Sequence, residues 1–379
     1  VKIRDILESM VQLGASDLHI KSGIQPLARV HGLLTPLDFA APRPEEIAEV
    51  ARQVLTPAQR EQFETTREVD FAFGVAGLAR FRANFFVQRS SVSMVFRHVV
   101  TDIPDFSSLG LPASLEELAL RNRGLVLVTG TTGSGKSTTL AAMINHVNQT
   151  MPVNVITVED PIEFLHRDQR ALVQQREVGT DTATFHDALR HVLRQDPDVI
   201  MIGEIRDRTT MEIALTAADT GHLVLSTLHT IDATQTVNRI ISFFEPHQHQ
   251  EIRYLLATTL QAVVSQRLIR MAGGNGRAPA VEIMMSTATI REYIQDPEKT
   301  PLIHQAIQDG VTQYGMQTFD QALMSMVTNG TISTEEAMRA SSNPHELSLR
   351  LGGIQASSDQ SWNNFESKPA VPNPAKSPF

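Results

Sequence analysis

The chain has 379 residues, 41% of them apolar and 20% charged, with a formal net charge of -9 and no cysteine. That length supports two domains with separate cores. The absence of thiols excludes a disulfide framework, a Cys-ligated zinc and a thiol nucleophile, and the acidic balance argues against a general DNA or RNA binder, a local basic groove aside.

Taken in chain order, Val1-Lys2-Ile3-Arg4-Asp5 contains no signal-peptide core, and no apolar run approaches the about 20 residues of a membrane helix. A cytoplasmic protein is therefore expected. Residues 1–100 read as a small mixed α/β domain. Ile3, Ile6, Leu7, Met10 and Val11 recur at helical spacing. Gln25 to Val30 is strand-like, and Ile47, Val50, Ala51, Val54 and Leu55 line one helix face after Pro44. Val69 to Val75, a turn at Ala76-Gly77, Leu78 to Phe85, and Ser93 to Val99 read as further strands. Residues 101–112 carry two prolines and few periodic apolar positions, and read as a linker. Beyond it, apolar runs at Leu125–Thr129, Val153–Val158, Val199–Ile202 and Leu223–Thr227 alternate with helical patterns, the signature of a parallel sheet. The chain turns mostly helical after about residue 284, over a domain spanning 113–355. Residues 356–379, rich in Ser, Asn, Lys and Pro, read as a disordered tail. The single tryptophan, Trp362, falls there and is expected to be solvated, with a short docking motif as the alternative.

The most specific signal is Gly130-Thr131-Thr132-Gly133-Ser134-Gly135-Lys136-Ser137, which fits the phosphate-binding P-loop G-x-x-x-x-G-K-[ST]. A buried-type strand precedes it, and a helix beginning at Thr138 follows. This arrangement aims backbone N–H groups and a helix N-terminus at a phosphate. Lys136 is expected on the β- and γ-phosphates of ATP and Ser137 on Mg²⁺. Hydrolysis also needs carboxylates for water and metal, and ligands of parallel sheets sit at the carboxyl ends of strands. Glu159, Asp160 and Glu163 follow one strand, and Glu204 follows another. Glu159 and Asp160 fit helix capping as well as catalysis, whereas Glu163 and Glu204 are the catalytic candidates. Glu204 stands where many P-loop proteins carry Asp at the end of a Walker B strand. His222 and His229 bracket the run Leu223–Leu228 and are candidates for sensing the γ-phosphate; their separation is not that of a compact His–His metal pair. Arginines accompany these elements, at 194, 206, 208 and 239, and at 80, 82, 89 and 97 in the first domain. Any single one fits a surface salt bridge, and one supplied in trans would need an oligomer. From these residues alone, a small-molecule P-loop kinase and a RecA-like nucleic-acid motor remain as rivals to a motor ATPase.

The P-loop, Ile156 to Glu163, Asp198 to Glu204, and Thr220-Gly221-His222 with Ser226-Thr227-Leu228-His229 together resemble the Walker A, Asp, Walker B and His boxes of secretion and type IV pilus ATPases. Ala15 to Ile20, Gln175 to Gly179 and Ser265-Gln266-Arg267-Leu268 resemble further motifs of that family, so the likeness runs over about residues 1–350. Within the family the chain resembles the twitching-motility retraction group, of PilT/PilU type. It starts directly with the small domain, lacks the Cys-x-x-Cys pairs of assembly ATPases, and carries Gly315 to Leu323, which resembles the group's C-terminal helical part. It departs at Thr289 to Asp296, only partly like the group's Ala-Ile-Arg-Asn-Leu-Ile-Arg-Glu segment, and at Asp219, where Glu is usual. The resemblance implies an α/β fold with a PAS-like N-terminal domain, a RecA-like parallel-sheet P-loop ATPase domain and C-terminal helices. It implies that Gly130 to Thr138 bind ATP and that Ser137 and Glu204 serve Mg²⁺. Glu163 would polarise water, His222 and His229 would meet the γ-phosphate region, and Arg82, Arg97, Arg194 and Arg239 would reach the nucleotide. It further implies a homo-hexamer at the cytoplasmic face of the inner membrane. That ring would act on a membrane platform protein, with a paralogous pilus ATPase as a candidate partner and no nucleic acid. Pilus assembly or type II secretion is the alternative within the family.

Overall fold

The computed structural model describes residues 2–30, 32–99, 102–274, 276–352, 362 and 365. They divide into two compact units: Val1–Asp102 with Ile162–Leu165 and Gly179–Asp181, and Ile103–Pro161 with His166–Val178 and Thr182–Phe379. No helix of the described residues is long and apolar enough to cross a membrane.

The first unit is built on six antiparallel strands: β1 (Asp17–Ile20), β2 (Leu27–Val30), β3 (Leu33–Pro36), β4 (Glu68–Val75), β5 (Ala79–Gln88) and β6 (Ser91–Val99), in the order β3-β2-β1-β6-β5-β4. Period-two alternation sets the core face. On β5 it is Phe81, Ala83 and Phe85 that are buried, and opposite them on β6 Phe96 and Met94. Phe85 packs edge-on against Phe71 and Phe96, with centroids at 5.0 and 5.6 Å, the favoured aromatic geometry. The helices Ile3–Gln12 and Pro44–Val54 bury Ile6, Leu7, Met10, Ile47 and Val50 in the same core. Two short strands, β1 and β3, lie outside the strand-like runs of the sequence. β1 coincides with the motif Ala15 to Ile20, and β3 is an edge strand exposed along its whole length, so it has no burial pattern to read.

The second unit holds seven strands: β7 (Gly124–Thr129), β8 (Asn154–Glu159), β9 (Leu172–Glu177), β10 (Val199–Ile202), β11 (Leu223–Leu228), β12 (Leu260–Arg270) and β13 (Arg277–Met285). Their order is β13-β12-β7-β11-β10-β8-β9, parallel throughout except for the antiparallel pair β12–β13. β7, β10 and β11 are buried at every residue because hydrophobic clusters cover both faces of the sheet. This is why they read as continuous apolar runs. The stretch expected as a linker contains the helix Phe106–Leu109, and Phe106 and Leu111 are buried in the second unit's core. Short helices follow β13 in the described residues, with Phe319, Leu323 and Leu347 forming a separate cluster.

Trp362 corrects the expectation of a solvated residue. Its side chain is buried in that cluster, and the Arg350 guanidinium lies 5.2 Å from its ring centre. The rest of the stretch 356–379, apart from Phe365, lies outside the described residues.

Candidate nucleotide site

β7 ends at Thr129, and the chain turns through Gly130 with φ 144°. A Cβ there would stand 2.4 Å from Ser134 Oγ and 2.5 Å from the Gln266 carbonyl oxygen, so the turn admits only glycine. Gly135, at φ 94°, is the N-cap of the helix Lys136–Thr150. Its backbone reversal turns the first amides of that helix toward the loop, the arrangement that binds anions. Lys136 is buried, and its Nζ donates to the carbonyls of Gly130 at 2.8 Å and Thr131 at 3.0 Å. Ser137 is exposed at the helix start.

Glu204 follows β10, and its carboxylate is held on both sides. Arg206 Nη2 lies 2.8 Å from Oε2, and His229 Nε2 lies 2.9 Å from Oε1. Burial alone would raise the Glu204 pKa. The bond and charge of Arg206, with the charges of His229 and Lys136, outweigh burial and hold it below the ordinary carboxylate value. The site therefore keeps an ionised carboxylate close to the P-loop lysine. Glu204 is not a helix cap: the next helix, Arg208–Asp219, is capped by Asp207, which accepts from Thr210 N.

Glu159 is buried at the end of β8 and accepts from Thr157 Oγ1 at 2.6 Å and Gln175 Nε2 at 3.0 Å. The capping alternative for Glu159 and Asp160 does not hold, because the next helix is Phe185–Val192, capped by Thr184. Glu163 is exposed within Ile162–Leu165, a segment of the first unit.

Three candidates of the second unit stand apart from this cluster. β11 runs parallel to β7 with Leu223 level with Gly124, so His229 follows the strand on the P-loop side while His222 precedes it at the far end. Six strand residues separate the two histidines by roughly 20 Å. The His222 ring instead bonds the Ala217 carbonyl at 3.0 Å and Thr220 Oγ1 at 3.2 Å. Arg194 is exposed in the turn before β10, at the same far end. Arg239 lies in the last turn of the helix Ala233–Ser242 and stacks on Phe243, 4.6 Å from its centre. In the first unit, Arg82 and Arg97 are cross-strand partners. Arg97 Nε donates to Asp17 Oδ1 at 2.8 Å, which helps keep the Asp17 carboxyl below its ordinary value against the effect of burial.

Some functional contacts had no assigned role in the sequence. Arg206 is the main counter-charge of Glu204, and its signal was the pattern Glu204-Ile205-Arg206. With Ile205 buried, its two neighbours in an extended segment share the opposite side. Thr129 Oγ1 donates to Ser265 Oγ at 2.9 Å, and Gln266 Nε2 donates to Thr139 Oγ1 at 2.9 Å. These two bonds brace the P-loop from β12, a strand whose pairing no local pattern announced.

A mostly parallel sheet with a P-loop after an interior strand, β7, and an ionised carboxylate after β10, two strands away, fits a RecA-like nucleotide hydrolase. Residues 101–339 match the model of the family described as Type II/IV secretion system protein. The chain is 42% identical to the type IV pilus retraction ATPase PilT of Pseudomonas aeruginosa, over 91% of this chain and 99% of that protein. It is 41% identical to the type IV pilus ATPase PilU of the same organism, over 93% and 91%. A crystal structure of the pilus retraction motor PilT with bound ADP superposes with a TM-score of 0.84 at 44% identity, covering 92% of this chain and 99% of that one. The chain belongs to the type II/IV secretion system protein family and is one of its ATPases.

Proposed function

We propose that this chain is an ATP-driven motor of type IV pilus retraction, acting as a ring of six at the cytoplasmic face of the inner membrane on a platform protein there. The carrying observation is that the likeness to the retraction motor extends through both units rather than through the ATPase part alone.

In hydrolysis, the P-loop amides receive the phosphates, and Lys136 exchanges its two loop carbonyls for phosphate oxygens. The residues present fit a divalent cation that arrives with the nucleotide: Ser137 offers an exposed hydroxyl, and Glu204 an ionised carboxylate. Among the described residues no three His, Cys, Asp or Glu form a metal cage. Mg²⁺ characteristically takes few protein oxygens and completes its shell with phosphate and water. When bound, the cation offsets charge on the phosphates. Glu204 then orients water, with Arg206 and His229 fixing its two oxygens. The roles of Glu163, Arg82 and Arg97 rest on the resemblance. Arg194, His222 and Arg239 are not assigned to the hydrolytic centre within this chain.

A second reading is supported by the near-equal identity to PilT and PilU: the chain assists a paralogous retraction motor. Deletion of the gene separates the readings. Abundant surface pili without twitching identify the principal retraction motor, provided that wild type restores motility and Glu204→Gln does not. Retraction that persists at reduced force supports the assisting role. Loss of all pili would overturn both readings in favour of assembly.

A further inference from the structure

Glu282 is one of the carboxylates that the second unit buries away from the P-loop and Glu204. Glu282, on β13, is 2% exposed. Its Oε1 accepts the backbone N–H of Ala233 at 2.8 Å. Ala233 is the first residue of the helix Ala233–Ser242, and its N–H is one of the donors a helix cannot satisfy internally. Asp232, the N-cap, is occupied with Gln235 N at 2.7 Å. The carboxylate of Glu282 therefore holds the positive end of this helix from a neighbouring strand.

The segment that this anchor controls is short. Only Thr230, Ile231 and Asp232 separate the helix from His229. Thr230 is itself tied to the helix, its hydroxyl lying 2.6 Å from that of Thr236, which donates to the Asp232 carbonyl at 2.7 Å. A displaced helix start carries this segment with it, and His229 depends on it for its 2.9 Å contact with Glu204. Other charged groups face Glu282 from each element around it. Arg267 on β12 stacks 3.8 Å over the Phe319 ring and donates to the Ala340 carbonyl at 2.6 Å. His304 Nδ1 lies 4.0 Å from Oε2, and Asp232 and Asp320 add negative charge.

We propose that Glu282 is a positioning residue for ATP hydrolysis: as an anion it fixes the start of the helix Ala233–Ser242 and thereby keeps His229 on Glu204. This rests on the assignment of Glu204 and His229 to the hydrolytic centre. Burial pushes the Glu282 carboxyl up to about 7, opposed by the Ala233 amide and Arg267. The anchor thus weakens as pH falls through neutrality.

The experiment is steady-state ATP hydrolysis by the purified full chain between about pH 5.5 and 9, for wild type, Glu282→Gln, Glu282→Leu, His304→Asn and Glu204→Gln. Glu282→Gln keeps an acceptor but no charge. Its kcat is expected about threefold below the wild-type plateau and flat through neutrality, with KM within twofold. Glu282→Leu leaves Ala233 N–H without its acceptor, and its kcat is expected to fall about tenfold, again with KM little changed. His304→Asn should keep the wild-type limb near pH 7. A wild-type profile in Glu282→Gln overturns the proposal, as does loss of the limb in His304→Asn. If Glu282→Leu does not fold, the Glu282→Gln profile decides alone. Wild-type turnover by Glu204→Gln would instead remove the site assignment itself.

Discussion

The two ends of the parallel sheet in the second unit are made from similar residue types and do different work. At the amino ends of the strands, polar groups close turns. Asp198 Oδ2 accepts Asn154 N at 2.8 Å, Asn154 Nδ2 donates to the carbonyls of Gln195 and Asp196, and the His222 ring is held by Ala217 and Thr220. These partners are mostly backbone groups, and the network is complete without a ligand. At the carboxyl ends, charges meet charges. Lys136, Glu204, Arg206 and His229 lie close enough for Lys136 to help set the ionisation of Glu204. Lys136 donates to carbonyls of the very loop whose geometry fits a phosphate. One end is stabilised by its hydrogen bonds, while the other is arranged for an anion and its counter-ion.

If this contrast is correct, substitutions at the carboxyl end change chemistry and those at the amino end change only stability. The largest effect belongs to Lys136→Ala, expected to lower kcat/KM for ATP by about 10³-fold, as losses of a phosphate-directed cation do. Titration with a fluorescent ATP analogue would check the accompanying loss of affinity. Retained tight binding would break the assignment of the loop.

Glu204→Gln comes next, expected to reduce kcat about 100-fold while nucleotide binding survives. Its pH dependence follows from the direction of its shift. The folded-state pKa lies below the ordinary value, chiefly through Arg206, so the ionised Glu204 contributes stability above the ordinary carboxylate range. That contribution is lost as pH falls through the lower folded value. Thermal melts of wild type and Glu204→Gln should therefore converge on acidification, and a constant difference down to pH 3 would contradict the pairing.

The histidines give the sharpest internal contrast. His229→Asn is expected to lower kcat about tenfold, because Glu204 loses one of its two clamps. His222→Asn is expected to stay within about twofold, because among the described residues its ring bonds the Ala217–Thr220 turn, away from Glu204. Rate measurements on both variants at low and high protein concentration would detect a contribution made by His222 across subunits. Equal losses at every concentration would erase the distinction between the ends.

What could be read in the sequence follows the same physics. β7, β10 and β11 were legible because burial on both faces writes an unbroken apolar run. The P-loop was legible because close approach at Gly130 and the role of Lys136 leave few alternatives at those positions. β12 and β13 were not, because their identity as strands comes from pairing with β7 and with each other, beyond any local window. The histidines looked equivalent because both flank one strand. Only the direction of that strand relative to the loop separates them, and direction is a property of the assembled sheet. The burial of Trp362 is hidden in the sequence because the composition around it is polar, while its own burial depends on Phe319, Leu347 and Arg350.

The smallest effect tests the amino end directly. Asp198→Ala removes the acceptor of the Asn154 amide at the start of β8. The site is exposed, so water can replace the lost partner, and the expected cost is about 1 kcal/mol of stability, that of one hydrogen bond. Denaturant unfolding measures this as a lowered midpoint. Because β8 and β10 remain paired from Val155 to Val158 with Val199 to Ile202, the positions of Glu159 and Glu204 at the other end should not move. Hydrolysis by Asp198→Ala is therefore expected to match wild type below the unfolding range. A drop in kcat without a drop in stability would mean that the turn-closing end communicates with the charged one, and the sheet would then be a transmitting element rather than a rigid base for the site.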